Sequence, residues 1–316
     1  MSIKETKIYA KSAFDVAQIN SKLKHGCDGI EIQLLTELVN KLGDYNFAED
    51  VLNLSEGRWD EYIGKIKAVH APLLSHFGLD DVCIESVVDS EDFKLLDQIC
   101  YIANWFGEKQ NEKVIIVMHS ETTVDTMLLI GDTWKHTLNA MGCLLFKYQH
   151  IEIALENVTP LRISKFNKEL KLRNNFKSDN LDMVKRLREG LHTDRIGTVL
   201  DICHARMTEK YMTAIYKELS DRECEDYSLE SFFKSNKEYI KLIHLAGMKG
   251  SGYGKGKHGT IFDVEDTDSM DNLKKFIELY DKYEYTCPVT LEVEETDYTT
   301  SDGYRKSKEA LESLRG

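Results

Sequence analysis

Residues that bind metal ions stand at the ends of short apolar runs along this sequence. The series consists of His70, His119, Glu156, Asp201, His244 and Glu292. Taken singly, each has a plain structural explanation, since a lone histidine is more often hydrogen-bonded than a ligand and a lone glutamate is usually solvated. Three carboxylates that converge, however, raise one another's pKa unless a cation neutralises them. The series therefore predicts a divalent metal site, and mixed imidazole and carboxylate ligands favour Zn²⁺, Mn²⁺, Fe²⁺ or Co²⁺ over Ca²⁺.

The apolar runs that precede these residues are spaced like the strands of a barrel. Eight runs are rich in strand-forming residues: 7–12, 29–34, 66–71, 113–119, 151–157, 195–201, 239–245 and 288–294. Helical patterns lie between them, for example at 90–107 and 268–283. The alternation predicts an α/β fold, a single (β/α)8 TIM barrel, rather than an open doubly wound sheet, whose glycine fingerprint is missing after the first strand. The carboxyl ends of barrel strands share one face, which is where the metal site is predicted.

Length and composition favour one domain over residues 1–316. The chain is 42% hydrophobic, has only three prolines and shows no linker-like break in composition. Its first residues lack the apolar core of a secretory signal, and no run of about 18 apolar residues occurs, so we expect a cytoplasmic protein without a membrane segment. Seven scattered cysteines without CxxC spacing indicate reduced thiols rather than a disulfide framework or a zinc ribbon.

The net charge bears on the choice of partner. A charge of −13 gives no general attraction to polyanions, which weighs against nucleic acid and acidic membrane surfaces. A local basic groove is still compatible with that charge, and the sequence leaves the formation of a homo-oligomer open. The expected partner is a small molecule.

Five segments at the predicted strand ends carry a resemblance to a known superfamily. They are VHAPLL, IALENV, VLDICHA, IHLAGMKG and VTLEVEE, in this order. Together they resemble the xylose isomerase-like superfamily of TIM barrels, from about the second strand to the eighth. That superfamily includes sugar isomerases and epimerases as well as the endonuclease IV family of AP endonucleases, so the resemblance implies the fold more specifically than the reaction.

Similarity to the epimerase branch implies a single divalent ion, Mn²⁺ or Zn²⁺. Its ligands there match Glu156, Asp201, His244 and Glu292 of this sequence. The two glutamates in that branch also move the substrate proton, and His204 matches a histidine that binds a substrate oxygen. A metal ion stabilises the enediolate formed when a proton leaves a carbon beside a carbonyl. The favoured interpretation is a metal-dependent isomerase or epimerase of a sugar, polyol or sugar phosphate.

Similarity to the endonuclease IV branch implies a binuclear centre and phosphodiester hydrolysis. His70 and His119 match the histidines that build its second metal site, which shares Glu156. The third metal of that branch needs an Asp-x-His pair, and here Gly256 stands where His258 would require the aspartate. The missing aspartate and the acidic charge weaken this alternative. A non-catalytic ligand-binding barrel is a third alternative, disfavoured by the complete carboxylate set.

Two further groups of residues are secondary candidates. The glycine-rich segment 247–259 would form either a lid over the barrel mouth, the favoured interpretation, or a phosphate-binding loop. In it, Lys249 and His258 are predicted substrate contacts. Glu31 and Gln33 alternate on the second strand and would either point into the mouth or pack the barrel interior.

Overall fold

The computed structural model contains a closed barrel of eight parallel strands that follow one another in chain order. The strands are β1 (Ile8–Ala13), β2 (Gly29–Gln33), β3 (Ile66–His70), β4 (Val114–His119), β5 (Ile151–Glu156), β6 (Ile196–Asp201), β7 (Ile240–Leu245) and β8 (Val289–Leu291). Pairing of β1 with both β2 and β8 closes the ring. The predicted (β/α)8 TIM barrel is confirmed, and each predicted strand overlaps an observed one.

Helices surround the barrel. The structure describes residues 3–35, 38, 46–53, 58–71, 90–119, 132–159, 161–163, 170–172, 178–218, 226–249 and 257–315. In these ranges the helices are α1 (Val16–Lys24), α2 (Phe47–Asn53), α3 (Ser90–Gln110), α4 (Asp132–Lys147), α5 (Ser178–Leu191), α6 (Ile202–Glu218), α7 (Leu229–Asn236), α8 (Thr267–Lys282) and α9 (Asp302–Arg315). None of the helices in the described ranges is both long enough and apolar enough to span a bilayer.

Two short antiparallel ribbons lie outside the barrel, and neither was predicted from the sequence. The first pairs Leu161–Ile163 with Leu170–Leu172, after β5. The second pairs Gly247–Lys249 with Lys257–Thr260, after β7. The second ribbon contains the two ends of the glycine-rich segment, whereas its middle, 250–256 with Gly256, lies outside the described residues.

Helix α8 shows how the sequence sets a helix and its buried face. It begins after Asp266, whose side chain accepts a hydrogen bond from the backbone N–H of Ser269, as an N-cap does. Leu273, Phe276 and Tyr280 are fully buried against the barrel. Their spacing of three and four residues keeps them on one face, so packing of that face stabilises the helix.

The barrel interior consists of two layers of side chains. An apolar layer contains Tyr9, Ala68, Val117, Ala154, Val199 and Leu242. Two residues further along the same strands stand Lys11, His70, His119, Glu156, Asp201 and His244. Because side chains alternate between the two faces of a strand, both sets face the interior. Glu31 on β2 and Glu292 after β8 complete this polar layer, which lies at the carboxyl ends of the strands above the apolar layer.

A buried ion pair joins α1 to the start of α9. Lys22 Nζ donates to Glu295 Oε1 at 2.6 Å, and both side chains are almost fully buried. The same carboxylate accepts the backbone N–H groups of Gly303 at 2.6 Å and Tyr304 at 2.8 Å. A Cβ on Gly303 would lie only 2.7 Å from Glu295 Oε2, so this approach requires glycine.

Replacing Glu295 by alanine is expected to lower the free energy of unfolding by about 3–5 kcal/mol. The change leaves the Lys22 ammonium buried without its carboxylate and removes the acceptor of two backbone N–H groups. Urea denaturation of the purified variant measures the loss. Lys274→Met, which breaks an exposed ion pair with Asp271, is the control and should cost at most about 1 kcal/mol. Similar losses in both variants would contradict the role of the buried pair.

Candidate metal centre

Four of the predicted ligands meet at the carboxyl end of the barrel. Glu156, Asp201, His244 and Glu292 each offer one ligand atom, and these atoms all lie within 4.8 Å of one another. His244 lies in the middle of the group, with Nδ1 3.2 Å from Glu156 Oε1 and 3.0 Å from Glu292 Oε2. The first three lie on consecutive strands, β5 to β7, and Glu292 directly follows β8. The structure thus brings together the set that the sequence analysis proposed for one ion.

The orientation of two buried atoms tests whether this group fits a cation. His244 Nδ1 and Glu292 Oε2 are 3.0 Å apart, yet neither has a hydrogen-bond partner within the described part of the chain. His244 Nε2 lies 3.0 Å from Glu31 Oε2 and donates its hydrogen there, so Nδ1 is the nitrogen that carries the lone pair when the imidazole is neutral. A lone pair that faces a carboxylate oxygen at this distance suits two ligands of the same ion. The donor set fits a divalent transition metal.

Glu31 supports the imidazole from behind. Its Oε2 accepts hydrogen bonds from His244 Nε2 at 3.0 Å and from Thr290 Oγ1 at 2.9 Å, and the residue is fully buried. A carboxylate in this position fixes the tautomer and the ring orientation of a metal-binding histidine. The sequence placed Glu31 either at the barrel mouth or in the barrel interior, and the structure buries it in the interior.

Opposite charges stabilise the ionised carboxylates of the metal-free protein. Burial favours the neutral acid, but His244 holds the pKa of Glu156 well below its usual value, and Lys11 with His244 does the same for the pKa of Glu292. Burial also disfavours imidazolium, yet Glu31 and Glu156 raise the pKa of His244 well above its usual value. A divalent ion would take over this neutralising role and release the proton of His244.

A second group of ligand atoms shares Glu156 with the first. His70 Nε2 lies 3.0 Å and His119 Nε2 lies 3.5 Å from Glu156 Oε2, the oxygen that does not face His244. His70 Nδ1 lies 2.8 Å from the carbonyl oxygen of Ala71 and donates to it, which leaves Nε2 for a ligand. Glu156 therefore stands between two candidate sites, in the arrangement that a binuclear centre needs.

His204 and His258 stack beside Asp201 on the other side of the group. Their ring centroids are 4.7 Å apart. His204 Nδ1 lies 2.9 Å from the carbonyl oxygen of Asn157, and His258 Nε2 lies 3.2 Å from Asp201 Oδ2. Burial alone would lower the pKa of His258, but Asp201 raises it to about 9. His258 is therefore a charged donor at neutral pH in the metal-free protein, and both histidines, the predicted substrate contacts, lie beside the candidate metal ligands.

Lys11 is part of the centre and was missed in the sequence analysis. Its Nζ lies 2.8 Å from Glu292 Oε1 and 3.6 Å from Glu31 Oε1, and its side chain is 11% exposed. A signal was present in the first strand, because Lys11 stands two residues after Tyr9 and so shares its inward face. A lysine on the inward face of a barrel strand indicates a charged partner inside the barrel.

A cavity of about 440 Å³ opens beside the centre. Its lining combines polar and apolar residues: Lys11, Ser12, Ala13, Gln18, Gln33, Leu35, His258, Gly259, Glu292, Val293, Glu294 and Tyr298. This volume lies in the range typical of small-molecule sites. Lys249, the other predicted substrate contact, is 68% exposed, lies 4.0 Å from Asp266 and lines other cavities, so the structure does not bring it to the centre.

Comparison with known proteins gives the following similarities. The sequence profile of the xylose isomerase-like TIM barrel family matches residues 23–315. No curated protein matches the chain in sequence. D-allulose 3-epimerase from Methylomonas sp. is 14% identical with a TM-score of 0.57, over 99% of this chain and 100% of that one. Endonuclease IV from Thermus thermophilus is 12% identical with a TM-score of 0.54, over 97% and 99%. Such identities establish the fold and do not separate the two kinds of enzyme.

Proposed function

The chain belongs to the xylose isomerase-like TIM barrel family, and from that premise we propose that it is a metal-dependent isomerase or epimerase of a sugar or polyol. One observation carries the proposal: Glu156 and Glu292, from strands on different sides of the mouth, both approach His244 Nδ1, at 3.2 and 3.0 Å. We propose that these three residues and Asp201 hold one Mn²⁺ or Zn²⁺ ion. The two glutamates would also be the acid and base.

The proposed chemistry is proton transfer at a carbon next to a carbonyl group. When bound, the ion supplies positive charge that stabilises the negative charge developing on the substrate oxygens. Glu292 lines the cavity and would exchange a proton with the substrate carbon from that side. Glu156 would exchange it from the opposite side, which inverts the carbon, whereas a shuttle between adjacent carbons gives isomerisation. His204 and His258 would donate hydrogen bonds to substrate oxygens.

The cavity supports a carbohydrate as the substrate. Gln33 and His258 offer polar groups to hydroxyls, while Leu35 and Tyr298 offer apolar surface to the C–H groups of a sugar. The position of Lys249 away from this cavity favours a free sugar over a phosphorylated one.

A second candidate function, metal-dependent phosphodiester hydrolysis, is favoured by one observation. His70 and His119 both face Glu156 Oε2, so a second ion could share that carboxylate. Two ions about 3.5–4 Å apart are typical of enzymes that cleave phosphodiesters. The net charge of −13 opposes binding to a DNA duplex.

Solvent exchange separates the two functions. We expect the metal-loaded protein to incorporate deuterium from D₂O at a carbon of one member of a panel of ketoses, aldoses and inososes, because a base that removes the proton exchanges it with water. Mass spectrometry of the recovered sugars measures the incorporation. A duplex with a single abasic site, offered to the same preparation at physiological salt, should be cut slowly or not at all. Efficient incision that His70→Ala abolishes would reverse this ranking and support the hydrolytic function.

A further inference from the structure

Lys11 belongs to the polar layer but lies on a strand that contributes none of the candidate ligands found in the described ranges. It comes from β1, whereas the candidate ligands come from β3 to β8. Its ammonium is directed at Glu292 Oε1, 2.8 Å away, and it lines the cavity in which the substrate is proposed to bind. Neither its charge nor its position is used by the proton transfer proposed above.

Two carboxylates are each shared between Lys11 and His244. Glu292 turns Oε2 towards His244 Nδ1 and Oε1 towards Lys11. Glu31 turns Oε2 towards His244 Nε2 at 3.0 Å, while its Oε1 lies 3.6 Å from Lys11. The two carboxylates therefore alternate with Lys11 and His244 around a ring, in which Lys11 stands opposite His244.

We propose that Lys11 acts as a fixed positive charge that limits the affinity of the centre for divalent cations. The proposal rests on the metal-dependent function proposed above. Lys11 acts through its charge and is not itself assigned a step of proton transfer.

The charges of the centre give the expected direction of the effect. Glu31, Glu156, Asp201 and Glu292 bring four negative charges, of which a divalent ion and Lys11 together would offset three. Removing Lys11 leaves one more uncompensated negative charge beside the ligands, and a nearby charge acts strongly on a divalent ion at a buried site. Metal binding should therefore become tighter. A lysine that only holds β1 against β8 would have the opposite effect, because its loss would loosen the ligands.

The test is calorimetric titration of the metal-free protein with Zn²⁺ or Mn²⁺ alone. We expect Lys11→Met to bind the ion about tenfold more tightly or better than wild type, a difference typical of one nearby charge. Lys11→Arg keeps the charge and should bind within about threefold of wild type. Lys241→Met is the matched control, since Lys241 on β7 forms an ion pair with Glu152, 3.2 Å away, and contacts none of the candidate ligands in the described ranges. It too should bind as wild type does.

Unchanged or weaker metal binding by Lys11→Met would overturn the proposal. Lys11→Gln keeps a hydrogen-bond donor without the charge. It too should bind the ion more tightly than wild type, and unchanged or weaker binding would overturn the proposal. If circular dichroism shows that both neutral variants fail to fold, Lys11 is a structural residue and the proposal is wrong. A wild-type protein that binds neither ion would contradict the proposed function itself, so the two failures are distinguishable.

Discussion

Glu156→Gln and Glu292→Gln are each expected to lower the rate of proton exchange at the substrate carbon by about 10²–10⁴-fold, the usual contribution of a positioned acid or base. Glutamine keeps the size of the side chain and one oxygen that can face His244, but it removes a ligand charge as Asp201→Asn does, so the rates are compared at saturating metal. It cannot accept the substrate proton as a carboxylate does. Deuterium incorporation in D₂O measures the rate, and elemental analysis of the same samples measures the metal.

Glu152→Gln is the matched control for this loss. Glu152 lies on the same strand as Glu156, pairs with Lys241 and belongs to none of the ligand groups found among the described residues. The proton-exchange rate and the metal content of the Glu152→Gln variant should equal those of wild type. If both site variants exchange the proton at the wild-type rate, the two glutamates are not the acid and base.

Asp201→Asn is expected to lower metal affinity strongly. The loss should exceed the roughly 10–100-fold seen when a residue that only hydrogen-bonds to a metal ligand is replaced. Asp201 is fully buried and contributes a ligand atom to the group of four. It also caps α6, because its Oδ1 accepts the backbone N–H of His204 at 2.6 Å. Asparagine preserves a cap of similar strength and removes only the charge. Elemental analysis after dialysis gives the metal content.

Asp266→Asn separates capping from metal binding. Asp266 caps α8 in the same way, by accepting the backbone N–H of Ser269 at 3.2 Å, and contributes to none of the ligand groups in the described ranges. That variant should retain all of its metal. Equal metal content in Asp201→Asn and wild type would reject the proposed site.

The strands and their polar ends were predictable because they depend on local patterns. A run such as Ile196–Asp201 is apolar and partly β-branched, and its final carboxylate stands out against that background. The barrel rule then places the ends of all eight strands on one face, so convergence of Glu156, Asp201, His244 and Glu292 follows without knowledge of the loops.

What escaped sequence reasoning depends on contacts between distant parts of the chain. Lys11 meets Glu292 only because β1 and β8 are neighbours in the closed ring. Lys22, on an amphipathic helix, looks like an exposed lysine until Glu295 is placed beside it. Lys249 was expected at the mouth because it follows β7, but the ribbon that contains it turns its side chain towards Asp266.

Closure of the ring also sets an order of events for a newly made chain. The pairing of β1 with β8 joins Ile8 to Val289, across nearly the whole sequence. Contacts between such distant residues have the highest loop-closure cost and form after the local strand–helix pairs. Glu292 directly follows β8, so the proposed ligand set is complete only once the ring has closed. Capture of the proposed ion would thus belong to the last stage of folding, and a chain interrupted before β8 would have neither a closed barrel nor a full set of candidate ligands.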